Sequence, residues 1–211
     1  MKAKIVTAVF CLVILTAMAL ALKCHYSQAD SEDLKWILAP TAGIVEWITG
    51  MTFEPETGAG FINRANGIII APACAGVNFL IISLLMGGVV GVFRLKHPAA
   101  MAFWIGFAPV AGYGLTLFVN ALRITLSMGI YSAGIDSSNI NAADAHRMLG
   151  VGIYLGALYG YFYLLRMFFR RFPPGNRSEG KAGAKGDWIG RIYRVENALP
   201  LTCYLAVTVL V

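Results

Sequence analysis

Three residues of this chain have types that can do chemistry together, and each stands beside an apolar run of membrane length: Cys74, Arg123 and His146. Cys74 lies in IIIAPACAGVNFLIISLLMGGVVGVF, Ile68 to Phe93. Ile68 to Ile70 are β-branched and extended in character, and Pro72 cannot continue a preceding helix, so a helix is expected to start at about Cys74. A thiol at a helix N-terminus meets unpaired amides and the positive end of the dipole, which favours its thiolate form. Arg123 cannot be neutralised; in or beside a membrane it needs a thiolate, a carboxylate or a developing oxyanion as partner. His146 can take a thiol proton and return it to a leaving amine, the part played by a histidine in acyl transfer. Each residue also has a plainer reading. Cys74 can be a small apolar packing residue, Arg123 an interfacial anchor reaching lipid phosphate, and His146 a helix-end side chain facing water.

Two asparagines accompany them. Asn78, one turn after Cys74 on an expected shared helix face, can donate to an oxyanion. Asn120, three residues before Arg123, can orient its guanidinium or bind substrate backbone. Buried polar pairing is the alternative for both. Asp144 is poorly placed to orient His146, because residues two apart on a helix do not face each other.

The elements that must position these residues are membrane spans. Of 211 residues, 58% are hydrophobic and only 13% charged, which excludes an ordinary soluble domain. The expected fold is an all-α polytopic membrane protein of four or five transmembrane helices, with a small extracytoplasmic cap containing a short β-hairpin. The expected divisions are a first span over 5–22, an extracytoplasmic or interfacial segment over 23–73, and further spans over 74–93 and 99–121. A second extracytoplasmic segment over 122–146, a fourth span over 147–165, a basic cytoplasmic segment over 166–196 and a marginal apolar segment over 197–211 complete the chain. The run Ile5 to Leu22 follows Lys2 and Lys4 and resembles a signal peptide, but it is long enough to span and reads as a retained helix. Leu34 to Ile48 carries Lys35, Pro40, Gly43 and Glu46, which suit an interfacial or re-entrant segment anchored by Trp36 and Trp47. FEPETGAGFINRANGIII reads as extended pieces joined by turns, with Asn66-Gly67 favouring a tight hairpin.

The net charge of +6 is sorted along the chain by topology, not gathered into a nucleic-acid surface. With the amino terminus inside, twelve of the seventeen Lys and Arg residues fall on the inner side, and eight of the eleven acids fall outside. Cys74, Arg123 and His146 then all reach the outer face. The cysteines Cys11, Cys24, Cys74 and Cys203 show neither metal-ligand spacing nor a disulfide framework, so no metal and no cofactor is expected, and a Cys24–Cys74 disulfide is left open only if both face an oxidising compartment.

PACAGVNF opening a membrane helix, followed by NALRI and then AHRMLG, resembles the exosortase and archaeosortase family of polytopic membrane transpeptidases, over about Leu38 to Leu165. APTAGIVEWITGMTFEP and GAGF are similar to the small exosortase K subgroup. The resemblance implies a catalytic Cys74 with Arg123 and His146 as partners, in a bacterial cytoplasmic membrane with the site outside. It implies secreted protein substrates whose C-terminal sorting signal joins a motif typically containing Pro-Glu-Pro to a membrane helix and a basic tail. The acceptor is left open and includes envelope polysaccharide, lipid or water. The span count is lower than in larger exosortases, and the basic Gly-rich tail has no counterpart in that pattern. Other functions compatible with the residues are a small transporter with an Arg/His anion site, a non-catalytic envelope assembly component, and an intramembrane protease without transfer.

Overall fold

The computed structural model describes residues 2–132 and 142–171, excepting the side chains of 2 and 130–147. The loop Gly134 to Asn141, most of the basic segment and the apolar segment 197–211 lie outside the described residues. Within them the chain is mostly helical, with helices α1 (Lys2–Gln28), α2 (Lys35–Thr49), α3 (Val77–Arg94), α4 (Pro98–Ser132) and α5 (Ala142–Arg171). Between α2 and α3 come strands β1 (Glu54–Glu56), β2 (Gly60–Asn63) and β3 (Ile68–Ile70) and one 3-10 turn, Pro72–Cys74. Among the described residues, four helical segments are long and apolar enough to cross a membrane: Ala3–Gln28, Pro72–Arg94, Pro98–Gly129 and Met148–Arg171.

α3 is the centre of the bundle. Most of its side chains are buried, and it packs on α1, α4 and α5. Its glycines make this possible: Leu15 of α1 fills the space a side chain at Gly88 would need, and Tyr161 of α5 does the same at Gly87. Trp104 of α4 lies against Gly91 and donates its indole N–H to the Gly87 carbonyl at 2.9 Å. α1 shows the complementary pattern. Cys11, Leu15 and Ala19, four residues apart, form its buried stripe, while Ile5, Val9, Phe10 and Val13 remain exposed and apolar. A helix apolar on its outward face suits lipid, not water.

α2 is about 22 Å long by its 15 residues, short of the roughly 30 Å hydrocarbon core. Ile37, Leu38, Ala42 and Val45 pack inward, Trp47 points out, and the Tyr113 hydroxyl of α4 donates to the Trp36 carbonyl at 2.6 Å. The helix ends at Gly50, and the Glu46 carboxylate accepts the Phe53 amide at 2.6 Å, which aims the chain into the sheet.

The sheet is antiparallel in the order β1-β2-β3, with Glu54 opposite Ile62 and Ile62 opposite Ile69. Asn66-Gly67 sits in the β2–β3 turn, where the Asn63 carboxamide oxygen accepts the Asn66 amide at 2.8 Å. Arg64 pairs with Glu56 at 2.5 Å and reaches Glu54 at 3.9 Å.

Two boundaries beside Cys74 and Arg123 differ from expectation. The helix after the sheet does not begin at Cys74. Pro72 opens a single 3-10 turn, Gly76 takes a left-handed conformation (φ 71°), and α3 starts only at Val77. Cys74 and Asn78 therefore share no helix face. The second difference is that α4 continues unbroken to Ser132, about 52 Å in all, so that Arg123, beyond the expected span end at residue 121, belongs to the same helix as Asn120, as it would for a span shifted towards Tyr131.

Candidate functional site

Cys74 ends the 3-10 turn. Its amide donates to the Ala71 carbonyl at 2.7 Å and the Ala75 amide to the Pro72 carbonyl at 2.9 Å, so the local backbone is tightly wound. Gly76 then reverses the chain. A side chain there would be strained by the positive φ and would press on the Asn120 carboxamide at 3.2 Å and the Tyr154 hydroxyl at 3.3 Å. The first amide of α3 bonded along the helix is Leu80, to Gly76, and no side chain caps the amides before it.

Asn120 is fully buried on α4 and joins three elements. Its Nδ2 donates to the Cys74 carbonyl at 2.5 Å, and its Oδ1 accepts the Tyr154 hydroxyl of α5 at 2.9 Å. Burial of an amide is tolerable only when its donor and acceptor are both used, and here both are. The Tyr154 ring is held in turn by Phe79, whose ring stacks on it at 4.8 Å.

One turn after Asn120, the Arg123 guanidinium lies over the other part of this cluster, 5.2 Å from the Tyr154 ring centroid. Its Cδ packs where a side chain at Gly150 of α5 would begin. Nε and Nη2 are buried and have no hydrogen-bond partner among the described residues. Such donors are costly to leave unpaired, so the arrangement holds two N–H groups ready for an acceptor. Tyr26, near the end of α1, is close enough to both Cys74 and Arg123 to feel their charges, which puts those two residues at the same end of the bundle.

Cys74 is among the residues lining an open cavity of about 750 Å³, between the β2–β3 hairpin and the last turns of α4. All three residues of β3 line it, as do Ile124, Thr125 and Met128 across from them. The Thr125 hydroxyl is buried without a partner, whereas Thr41, Thr116 and Ser127 each bond the carbonyl four residues back.

The structure thus brings Asn120 onto Cys74 and places Arg123 beside the same tyrosine. Asn78 has a different partner: its Oδ1 accepts from Lys23 of α1 at 3.4 Å. The His146 backbone lies in the first turns of α5, four residues before Gly150, and its side chain is outside the described residues. Cys11, Cys24 and Cys74 are free thiols, and among the described residues no group of three His, Cys, Asp or Glu is placed to hold a metal. Tyr154 was not legible as a site residue. Its only signal is its spacing, eight residues after His146 and four after Gly150.

Compared with family models, curated proteins and solved structures, the chain matches none.

Proposed function

We propose that the protein is a membrane-embedded cysteine transpeptidase or protease, exosortase-like, that cleaves the C-terminal sorting signals of secreted proteins at the outer face of a bacterial cytoplasmic membrane. The observation that carries this reading is a free thiol, Cys74, opening on a substrate-sized cavity while its own backbone is tied to the helix bearing Arg123. A nucleophile needs both access and fixed position, and here access comes from the cavity and position from Asn120.

The chemistry follows from the residues. His146 accepts the Cys74 proton, and the thiolate adds to a backbone carbonyl of the substrate, forming a C–S bond and moving the carbonyl π pair onto oxygen. The unpaired Nε and Nη2 of Arg123 are suited to that oxyanion. Collapse breaks the C–N bond, and the leaving amine takes the proton held by His146, releasing the membrane helix of the signal. An acceptor nucleophile or water then adds to the thioester and expels the Cys74 thiolate. The positive-inside distribution of Lys and Arg supports placing these events outside.

A second reading draws on one of the same observations. A partly buried arginine with two buried, unpaired guanidinium nitrogens also fits an anion site in a small transporter or an envelope assembly component. The deciding experiment co-expresses a candidate substrate carrying a C-terminal sorting signal with the wild type or with Cys74→Ala, Arg123→Ala or His146→Ala. The substrate's new C-terminus is read by mass spectrometry. Loss of cleavage in variants that still reach the membrane supports the enzyme, and added mass at the terminus identifies transfer. Undiminished cleavage with Cys74→Ala sinks it and favours the anion site.

A further inference from the structure

Resting on the reading of Cys74 as nucleophile, we propose that the substrate binds as an added β-strand along the open edge of β3, held on its far side by Thr125. Among the described residues β3 is the last strand of the sheet, paired with β2 on one side only. Successive side chains of a strand point to opposite faces, so a cavity lined by three consecutive residues, Ile68, Ile69 and Ile70, meets that strand along its edge. The edge next to β2 is occupied. The cavity therefore runs along the other.

The backbone groups on that edge can be assigned. The Ile70 carbonyl lies against Gly60 on β2, where a side chain would collide with it. The N–H and C=O of one strand residue point to the same side, and alternate residues point oppositely. Ile68 and Ile70 thus serve β2, and the N–H and C=O of Ile69 turn outward. Among the described residues nothing bonds them. An edge of this kind is a template for an extended peptide.

Thr125 supplies the second, independent sign. In a helix a threonine hydroxyl ordinarily bonds the carbonyl four residues back. Thr116 does so on this same helix, at 2.7 Å. The Thr125 hydroxyl does not: it is buried without a partner, in a residue that belongs to the wall facing β3 and that a change of rotamer could turn towards a bound peptide. A peptide between the two would pair with Ile69 on one side and give Thr125 a backbone partner on the other. β3 ends four residues before Cys74, so a peptide following the strand leads directly to the thiol. Among the described residues the cavity wall carries no charged side chain, which favours an uncharged segment against β3.

The test uses the full chain in nanodiscs and an uncharged acetyl-tetrapeptide chloromethyl ketone of alanine and valine. The Cys74 sulfur displaces chloride from this probe, forming C–S, breaking C–Cl and releasing HCl. The labelling rate is compared for probes N-methylated at one amide at a time, with iodoacetamide as a reference that needs no docking. Strand addition predicts that methylation at alternate amides slows labelling about five- to tenfold, the loss expected for one hydrogen bond, while the amides between them tolerate it. Thr125→Val lowers the peptide rate about fivefold and leaves the iodoacetamide rate unchanged. Labelling with no alternation, or Thr125→Val without effect, overturns the strand-addition proposal even where Cys74 reacts normally with iodoacetamide. Failure of the enzyme reading is seen separately, as substrate processing that survives Cys74→Ala.

Discussion

Asn120 of α4 donates to the backbone carbonyl of Cys74, not to its thiol. The side chain therefore acts on where the sulfur stands and leaves its chemistry alone. Asn120→Asp keeps the shape but replaces the donor with an oxygen that repels the Cys74 carbonyl. Such a change leaves a buried acceptor unpaired, which costs about 1–3 kcal/mol. Processing by Asn120→Asp should fall at least tenfold. Tyr154→Phe removes the bond to the Asn120 oxygen and retains the ring that Phe79 and Arg123 contact. It should fall less, roughly fivefold. Substrate turnover measured beside iodoacetamide labelling of Cys74 separates the two effects: a misplaced thiol loses turnover while its alkylation stays within about a factor of two. Equal turnover in wild type and Asn120→Asp would remove Asn120 from the site.

Arg123 is expected to resist conservative replacement. Lysine keeps the charge but has one compact donor centre in place of the planar fork whose Nε and Nη2 are both unpartnered here. If those two N–H groups receive the oxyanion, Arg123→Lys should lower kcat by about 10²–10³-fold, the range for loss of one such donor, with KM little changed. A rise in KM at constant kcat would instead assign Arg123 to substrate binding.

The four long apolar helices were legible in the sequence because each is an apolar run of about bilayer length, and so was the turn at Asn66-Gly67, because that pair accepts the backbone geometry a tight turn needs. The start of α3 was not. Pro72 gives the same signal for a 3-10 turn as for the first turn of an α-helix, and nothing local announces that Gly76 adopts a positive φ. That one error carried Asn78 with it, since its expected alignment with Cys74 was helix arithmetic across a break. The reach of α4 to Ser132 was hidden for another reason. Asn120 and Arg123 look like the end of a span, yet Asn120 is inside the bundle, where a polar residue does not stop a helix. Tyr154 reaches Asn120 across 34 residues of sequence, a contact that no periodicity encodes.

The orientation inferred from charge can be checked with the thiols themselves. Cys24 is exposed near the end of α1, Cys74 is partly exposed in its cavity, and Cys11 is buried in the bundle. A membrane-impermeant maleimide added to intact spheroplasts should modify Cys24 quickly, Cys74 more slowly and Cys11 not at all, as read by peptide mass spectrometry. Modification of Cys24 only after the membrane is opened would place the site on the inner face and remove the case for secreted substrates.

Gly76 is the position where the least change should do the most harm. Its φ of 71° costs a residue with a Cβ about 1–2 kcal/mol, and that Cβ would also press on Asn120 and Tyr154, the two side chains that fix Cys74. Asn120 is fully buried and the Tyr154 ring is stacked on Phe79, so neither has an easy retreat. Gly76→Ala should lower the thermal midpoint by a few degrees, as expected for a loss of that size. It should lower processing far more, at least tenfold, because the strain is relieved by moving the turn that carries the thiol. Gly129→Ala, where a side chain meets open space, serves as the control for an added methyl group on the same wall of the cavity. If Gly76→Ala loses stability but keeps full turnover, the turn moves without moving the sulfur, and the Asn120 bond is not what sets its position.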